Sequence, residues 1–207
     1  MKLFLDSADT DAIVSRYNTG LISGVTTNPT LIFKSGRHPQ DVYNELIKEG
    51  IPDISMEIVG ESEEDFFSRS INHVKEYGDH ATIKLPCSVE GLKACKRLSD
   101  VNVRVNVTLI VSPAQAILAS LAGATYISPF IGRMDDNSLD GMKLINDIKN
   151  TGVNAQILAA SIRDVQSVGT AFALGADICT IPVSVFDKMY NHALTDKGIE
   201  QFNKDAS

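Results

Sequence analysis

The chain has 207 residues and 43% of them are hydrophobic, so one domain with a full core is the simplest expectation. The formal net charge of -7 argues against nucleic acid or an anionic membrane as the partner, but a local pair of arginines would still bind a small anion. No run reaches membrane-spanning length, Asp6 interrupts the signal-like start, and three widely spaced cysteines fit no metal motif, so we expect a reduced, metal-free, cytoplasmic protein.

Short β-type runs alternate with helical patterns, a βα rhythm that repeats along the whole chain. Helical patterns lie at 41–49, 62–77, 89–98, 113–121, 139–150 and 163–174, several of them after a Ser or Asp that can cap a helix. Eight such strands, each followed by a helix, specify an α/β fold: one (β/α)8 TIM barrel over residues 1–207. The predicted strands are 3–6, 24–28, 54–58, 82–86, 104–108, 126–130, 156–160 and 178–182.

An open doubly wound sheet is the alternative fold. It predicts a glycine-rich phosphate loop after the first strand, where the chain has DSAD at residues 6–9 instead. At the other end, residues 194–198 suggest a turn into an additional C-terminal helix or tail at 195–207. We expect the apolar residues of that tail to dock on a neighbouring subunit.

Lys84 stands in the apolar run ATIKLP at residues 81–86, which is typical of a strand covered on both faces. Alternation puts Lys84 on one face with Thr82 and Pro86. A partly desolvated lysine amine loses its proton more easily and attacks carbonyl groups to form a Schiff base. The alternative is a lysine at a strand end whose ammonium reaches water.

The carboxyl ends of the predicted strands are rich in polar residues, and in a TIM barrel the catalytic groups lie there. Two-residue spacings, as between Asn106 and Thr108, put both side chains on one face of a strand. We therefore expect a single site at the barrel mouth. Its candidate residues are Asp6, Thr26, Asn28, Glu57, Lys84, Asn106, Thr108, Ser128, Phe130, Arg133, Ser161 and Arg163.

Asp6 and Glu57, at the ends of the first and third strands, are candidates for acid–base catalysis. Asp6 would transfer a proton at a substrate hydroxyl during C–C cleavage, although it could instead cap the first helix. Glu57 and Thr108, with a water between them, would move protons while a carbinolamine forms and dehydrates. The alternative for Glu57 is a solvated carboxylate at a sheet edge, which a closed barrel does not have.

Two amides and two arginines are candidates for substrate binding. Asn28 and Asn106 would be satisfied by a polyhydroxylated substrate, although internal hydrogen bonds would serve almost as well. Arg133 and Arg163 could clamp a phosphate together with Ser161, since loops after late strands often bind phosphate in this fold. Against this, Arg163 could simply pair with its neighbour, Asp164.

Seven short segments are spread over the chain: FLDSA at 4–8, GVTTNPT at 24–30, TIKLP at 82–86, NVTLI at 106–110, GATYISPFIGR at 123–133, AASIR at 159–163 and LTDKGI at 194–199. In this order they resemble the transaldolase family, specifically the short subfamily that also contains fructose-6-phosphate aldolase. Each segment alone is weak, but all seven in order are highly specific.

The resemblance implies a TIM barrel without a cofactor or metal that forms a Schiff base on Lys84. It implies transfer of a dihydroxyacetone unit from sedoheptulose 7-phosphate to glyceraldehyde 3-phosphate, giving erythrose 4-phosphate and fructose 6-phosphate, in the pentose phosphate pathway. It also implies a homo-oligomeric ring, such as a pentamer or decamer. The implied roles are acid–base catalysis for Asp6 and Glu57, a catalytic water on Thr108, dihydroxyacetone binding by Asn28 and Asn106, and phosphate binding by Arg133, Ser161 and Arg163.

Two positions separate the activities of the subfamily. Aldolase members resemble this chain but carry Gln in place of Glu57 and Tyr in place of Phe130, so both positions here favour the transferase. Two alternatives stay open: an aldolase that releases free dihydroxyacetone, and a non-catalytic barrel that binds a sugar phosphate.

Overall fold

The computed structural model describes residues 1–206, which form a closed barrel of parallel strands in sequential order. Each strand pairs with the next, and the last strand pairs with the first to close the barrel. The strands are β1 Lys2–Asp6, β2 Ile22–Thr26, β3 Ile54–Glu57, β4 Ala81–Pro86, β5 Val105–Ile110, β6 Tyr126–Pro129, β7 Gln156–Ala159 and β8 Ile178–Ile181.

The helices lie between the strands and cover the outside of the barrel. Many begin at a polar residue whose side chain accepts a hydrogen bond from a free backbone N–H group, as Ser62 does from Asp65. No helix within residues 1–206 is both long and apolar enough to cross a membrane. The helices are α1 Thr10–Tyr17, α2 Pro29–Ser35, α3 Pro39–Lys48, α4 Glu63–Tyr77, α5 Val89–Asp100, α6 Pro113–Leu121, α7 Ile131–Asp136, α8 Gly141–Asn150, α9 Val165–Ala173, α10 Val183–Lys188 and α11 Ala193–Asp205, with a 3₁₀ turn at Gly78–His80.

The TIM barrel predicted from the βα rhythm is confirmed, and most strand bounds agree closely with the prediction. The second strand differs most, because it ends at Thr26 and not at residue 28. Asn28 is instead the N-cap of α2, where its side chain accepts a hydrogen bond from the Leu31 N–H group. The capping role considered for Asp6 is wrong, because Asp9 caps α1.

The C-terminal segment forms a helix, but it begins earlier than predicted. Residues 194–198, predicted to form a turn, belong to α11. This helix begins at Ala193, two residues before the predicted start, because the His192 side chain accepts from the Leu194 N–H group and caps it. Residue 207 of the predicted tail lies outside the described residues. No residue of α11 is buried, and its apolar side chains Leu194, Ile199 and Phe202 are exposed.

The apolar core has two parts. The larger part fills the layer between barrel and helices, and it includes Ile83 and Leu85 from the outer face of β4. The smaller part lies inside the barrel, where Phe4, Leu158 and Ile178 pack together. These residues close the barrel beneath the polar side chains that stand at the carboxyl ends of the strands.

Candidate active site

Two cavities meet at the carboxyl ends of the strands. The first encloses about 150 Å³ and the second about 370 Å³, and Lys84 lines both. Asp6 and Ser161 line only the first, whereas Glu57 and Thr108 line only the second. The structure thus brings nearly all of the predicted site residues to one mouth. Those that line the first cavity are Asp6, Thr26, Asn28, Lys84, Asn106, Ser128, Phe130, Arg133 and Ser161.

Lys84 is held by an ion pair and a main-chain hydrogen bond. Parallel pairing sets Glu57, Lys84 and Asn106 side by side in one row across β3, β4 and β5. Lys84 is only 4% exposed, and its Nζ lies 3.0 Å from Glu57 Oε2. It also donates to the main-chain oxygen of Thr27 at 3.0 Å. The lysine with its ammonium in water, considered from the sequence, is therefore not what the structure contains.

Asp6 lies in a chain of hydroxyl groups. Its Oδ1 accepts a hydrogen bond of 2.7 Å from Thr26 Oγ1, which lies 2.7 Å from Thr180 Oγ1. Burial is the main reason that the pKa of Asp6 is raised; Thr26 and Lys84 oppose the rise and Glu57 adds to it. A carboxyl group with a raised pKa exchanges its proton closer to neutral pH, which suits a general acid and base.

Asn106, in β5, is oriented by one serine from β3 and one from β6. Its Nδ2 donates to Ser55 Oγ at 3.2 Å, and its Oδ1 accepts from Ser128 Oγ at 2.7 Å. All three residues are buried. These two bonds fix which end of the amide is the donor and which is the acceptor, so Asn106 presents a defined pattern to a substrate in the cavity.

Thr108 has a buried hydroxyl group without a hydrogen-bond partner among the described residues. A buried unpaired hydroxyl is costly, so a water or a substrate oxygen is its expected partner. The next residue, Leu109, has a left-handed backbone with φ of 62° at a bulge in β5. For a bulky side chain this conformation is strained, and such strain often lies at functional sites.

Arg133 and Ser161 form the side of the mouth where a phosphate is expected. The Arg133 guanidinium lies over the Phe130 ring, 4.8 Å from its centroid, and both side chains line the cavities. Ser161 has a left-handed backbone with φ of 61°, and its carbonyl accepts from the Gly132 N–H group at 3.2 Å. A Cβ at Gly132 would stand 2.4 Å from that carbonyl, so this close approach requires glycine.

Arg163 is the predicted site residue that the structure does not bring into the mouth. It lines neither cavity and forms a bidentate ion pair with Asp136 of α7. The pairing with Asp164 that the sequence suggested is wrong, because Asp164 caps α9 through the Ser167 N–H group. Both members of the Arg163 pair are more than half exposed, so solvent screens the pair and it holds Arg163 only weakly.

Three residues of the site were missed from the sequence. Thr27 contacts Lys84 through its main-chain oxygen, Ser55 holds the Asn106 amide, and Thr180 continues the hydroxyl chain from Asp6. Ser55 and Thr180 are polar residues within buried strands, at positions that alternate toward the barrel interior, and that signal was available. A main-chain contact such as that of Thr27 leaves no such signal.

The family model described as Transaldolase/Fructose-6-phosphate aldolase matches residues 3–207. The chain belongs to this family. Proteins named "Probable transaldolase" from Caulobacter vibrioides and Geobacter sulfurreducens are each 47% identical to it over 209 residues, covering 99% of this chain and 96% and 97% of those proteins. A protein of the same name from Nitrosopumilus maritimus is 44% identical over 213 residues, covering 99% of this chain and 94% of that protein. The family resemblance drawn from the seven segments is confirmed.

A more distant likeness concerns the fold alone. Inosine 5′-monophosphate dehydrogenase from Legionella pneumophila superposes with a TM-score of 0.62 at 14% identity, over 89% of this chain. The chain spans 58% of the length of that protein. The shared element is the TIM barrel, a fold that carries many unrelated reactions, so the chemistry rests on the residues at the mouth.

Proposed function

We propose that this protein is a transaldolase that transfers a dihydroxyacetone unit between sugar phosphates through a Schiff base on Lys84. The observation that carries the proposal is the 3.0 Å pair between Lys84 Nζ and Glu57 Oε2, at the junction of two cavities. Asp6 lines one of these cavities, so an amine and two carboxylates surround the space for a ketose. Membership in the transaldolase/aldolase family supports the same reaction class.

Schiff-base formation would use the second cavity. Glu57 takes a proton from the Lys84 ammonium, and the neutral amine then attacks the C2 carbonyl of the donor ketose. The carbinolamine takes up a proton on its oxygen and loses water, which leaves a protonated Schiff base. The unpartnered Thr108 hydroxyl lines the same cavity as Glu57, and this supports its proposed role of holding that water.

Cleavage would use the first cavity. Asp6 accepts the proton of the C4 hydroxyl while the C3–C4 bond breaks, and the electron pair of that bond moves toward the protonated Schiff base to give a neutral enamine. An acceptor aldehyde then takes the place of the aldehyde that has left. The enamine carbon attacks it, Asp6 returns the proton to the new hydroxyl, and water releases the product from Lys84.

Substrate binding would divide between hydroxyl and phosphate groups. Asn106, whose amide is fixed by two hydrogen bonds, is proposed with Asn28 to bind the dihydroxyacetone hydroxyls. Arg133, which lines both cavities and has no ion pair among residues 1–206, is proposed with Ser161 to bind the phosphate. Arg163 would join them only after leaving Asp136. The chemistry on Lys84 needs no further cofactor.

Borohydride reduction in the presence of fructose 6-phosphate tests the Schiff base. Intact-mass measurement should show one reduced dihydroxyacetone unit per chain, and peptide mapping should place it on Lys84. Protein without sugar, treated in the same way, is the control. Absence of an adduct would contradict the proposal and favour a barrel that only binds sugar phosphates.

A second assay separates the transferase from an aldolase that releases free dihydroxyacetone. Fructose 6-phosphate is supplied with and without erythrose 4-phosphate as the acceptor aldehyde, and glyceraldehyde 3-phosphate formation is followed. A transferase should turn over many times only with the acceptor, because the enamine otherwise stays on Lys84. Undiminished turnover without the acceptor would assign the aldolase activity instead.

The proposal includes assembly into a homo-oligomer in the cytoplasm. Its support is α11, whose apolar side chains Ile199 and Phe202 are 53% and 74% exposed, together with three cysteines that are all free. Sedimentation should give a mass of several chains, and a F202E variant should lower it. A single-chain mass for the unaltered protein would contradict the assembly.

A further inference from the structure

The main-chain oxygen of Thr27 is the second acceptor for the Lys84 amine. It receives a hydrogen bond of 3.0 Å from Nζ, equal in length to the contact between Nζ and Glu57. An ammonium has three hydrogens, so these two partners fix the direction of the third. The position of one peptide group between β2 and α2 therefore controls where the amine points.

Two hydrogen bonds to one acceptor hold Thr27 in place. Both the N–H group of Thr27, at 3.1 Å, and its Oγ1, at 2.9 Å, donate to the main-chain oxygen of Ser55. A carbonyl oxygen has two lone pairs and can accept both. Ser55 lies in β3, so Thr27 is fixed to the strand that carries Glu57 and that pairs with β4, the strand of Lys84.

Tyr43 of α3 is the last member of this series of hydrogen bonds, on the outer side of the barrel. Its Oη lies 3.2 Å from Thr27 Oγ1, and because that hydroxyl gives its single hydrogen to Ser55, Tyr43 is the donor. Burial raises the pKa of Tyr43, so the phenol keeps its hydrogen at neutral pH. Thr27 is fully buried, so its hydrogen bonds are shielded from water.

We propose that Thr27 is the positioning residue for the Schiff-base lysine: its hydroxyl fixes the residue on Ser55, so that its carbonyl orients Lys84 Nζ. The inference rests on the proposed function. The carbonyl accepts one hydrogen from the ammonium at the start and the one remaining N–H of the protonated Schiff base later. A hydrogen bond to the charged form favours that form, which is the electrophile that C–C cleavage requires.

The test compares T27V with T27S. Valine keeps the shape of threonine and the backbone bond to Ser55 but removes the hydroxyl, and serine keeps the hydroxyl. We expect T27V to lower kcat about tenfold, the effect of losing one such hydrogen bond, with the KM for fructose 6-phosphate changed less than about twofold. T27S should retain at least about half of the unaltered kcat. The rate of borohydride trapping should fall in parallel with kcat in T27V.

A matched control separates positioning from general destabilisation. Thr10 is also a buried threonine whose hydroxyl is hydrogen-bonded, in this case to Arg37, and it lines neither cavity. T10V should lower the melting temperature and leave kcat unchanged. If T27V does not fold, Y43F tests the other end of the chain, and we expect a twofold to threefold loss of kcat at unchanged KM.

Three results would overturn the inference: a folded T27V with the unaltered kcat, equal losses in T27V and T27S, or, should T27V not fold, an unchanged kcat in Y43F. These outcomes differ from a failure of the proposed function. In that case the unaltered protein itself would form no adduct with fructose 6-phosphate. If the unaltered protein is trapped on Lys84 and T27V is trapped equally fast, only the positioning role fails.

Discussion

The proposed catalytic centre around Lys84 and the proposed phosphate side of the mouth, at Arg133 and Arg163, are built in different ways. At the centre, the strand register pairs Glu57 with Lys84 on adjacent strands, and their side-chain atoms Oε2 and Nζ lie 3.0 Å apart. On the phosphate side, Arg133 belongs to a short helix and Arg163 to a loop, where Arg163 pairs with a surface carboxylate. The difference teaches that strand pairing fixes Lys84 and Glu57 within the barrel, whereas the two arginines are placed by a short helix and a loop outside it.

Replacing the Lys84 amine should have the largest effect on turnover, because the proposed Schiff base forms on its nitrogen. K84M keeps most of the side-chain volume, so we expect turnover to fall by more than about a thousandfold while the fold is retained. Exposed Lys93, exchanged for methionine in the same way, should leave the rate unchanged. Circular dichroism and the coupled aldehyde assay give the two readings. Unaltered turnover by K84M would contradict the mechanism.

Removing the charge of Asp6 should give the next effect, with opposite signs for activity and stability. D6N keeps the acceptor for Thr26 but cannot take a proton, so we expect kcat to fall about 100-fold or more. Because burial raises the pKa of Asp6 in the folded state, the folded chain binds that proton more tightly than the unfolded chain. The ionised carboxylate therefore opposes folding at neutral pH.

The stability of D6N can be read from its pH dependence. The Asp6 carboxyl stabilises the fold in acid, and this contribution is lost as the pH rises through its raised pKa. At pH 7 we expect the free energy of unfolding of D6N to exceed that of the unaltered protein by about 1 kcal/mol, which corresponds to a Tm ~2–4 °C higher. The gain should shrink toward pH 4, as urea unfolding at several pH values would show. A gain that grew in acid would contradict the assignment.

The sequence predicted the positions around Lys84 better than those on the phosphate side, because side chains alternate regularly between the two faces of a strand. The alternation in ATIKLP put Lys84 inside the barrel, and the strand ends located Asp6 and Glu57. The partner of Arg163 was not predicted, because Asp136 lies 27 positions away and approaches it through the fold. Nor was the Thr27 contact, since it uses a backbone oxygen that every residue has.

The two arginines should differ in their effects on substrate affinity. R133A removes a guanidinium that already lines the cavities, so we expect the KM for fructose 6-phosphate to rise roughly tenfold or more. R163A removes a group that must first leave Asp136, so a rise of about twofold to fivefold is expected. Unphosphorylated fructose is the control, because neither variant should change its kcat/KM. Equal effects of both variants would remove the distinction drawn here.

The smallest expected effect concerns the ion pair that holds Arg163 away from the mouth. Asp136 has a pKa lowered by its hydrogen bonds to Arg163, so it is ionised at neutral pH and competes with phosphate for the guanidinium. D136N weakens that competition. Because solvent screens an exposed ion pair, the KM for fructose 6-phosphate should fall by at most about fivefold at unchanged kcat. In the R163A background the same change should do nothing, since no guanidinium remains to be released. A lower KM in that double variant would show that Asp136 repels the phosphate directly and does not act by holding Arg163.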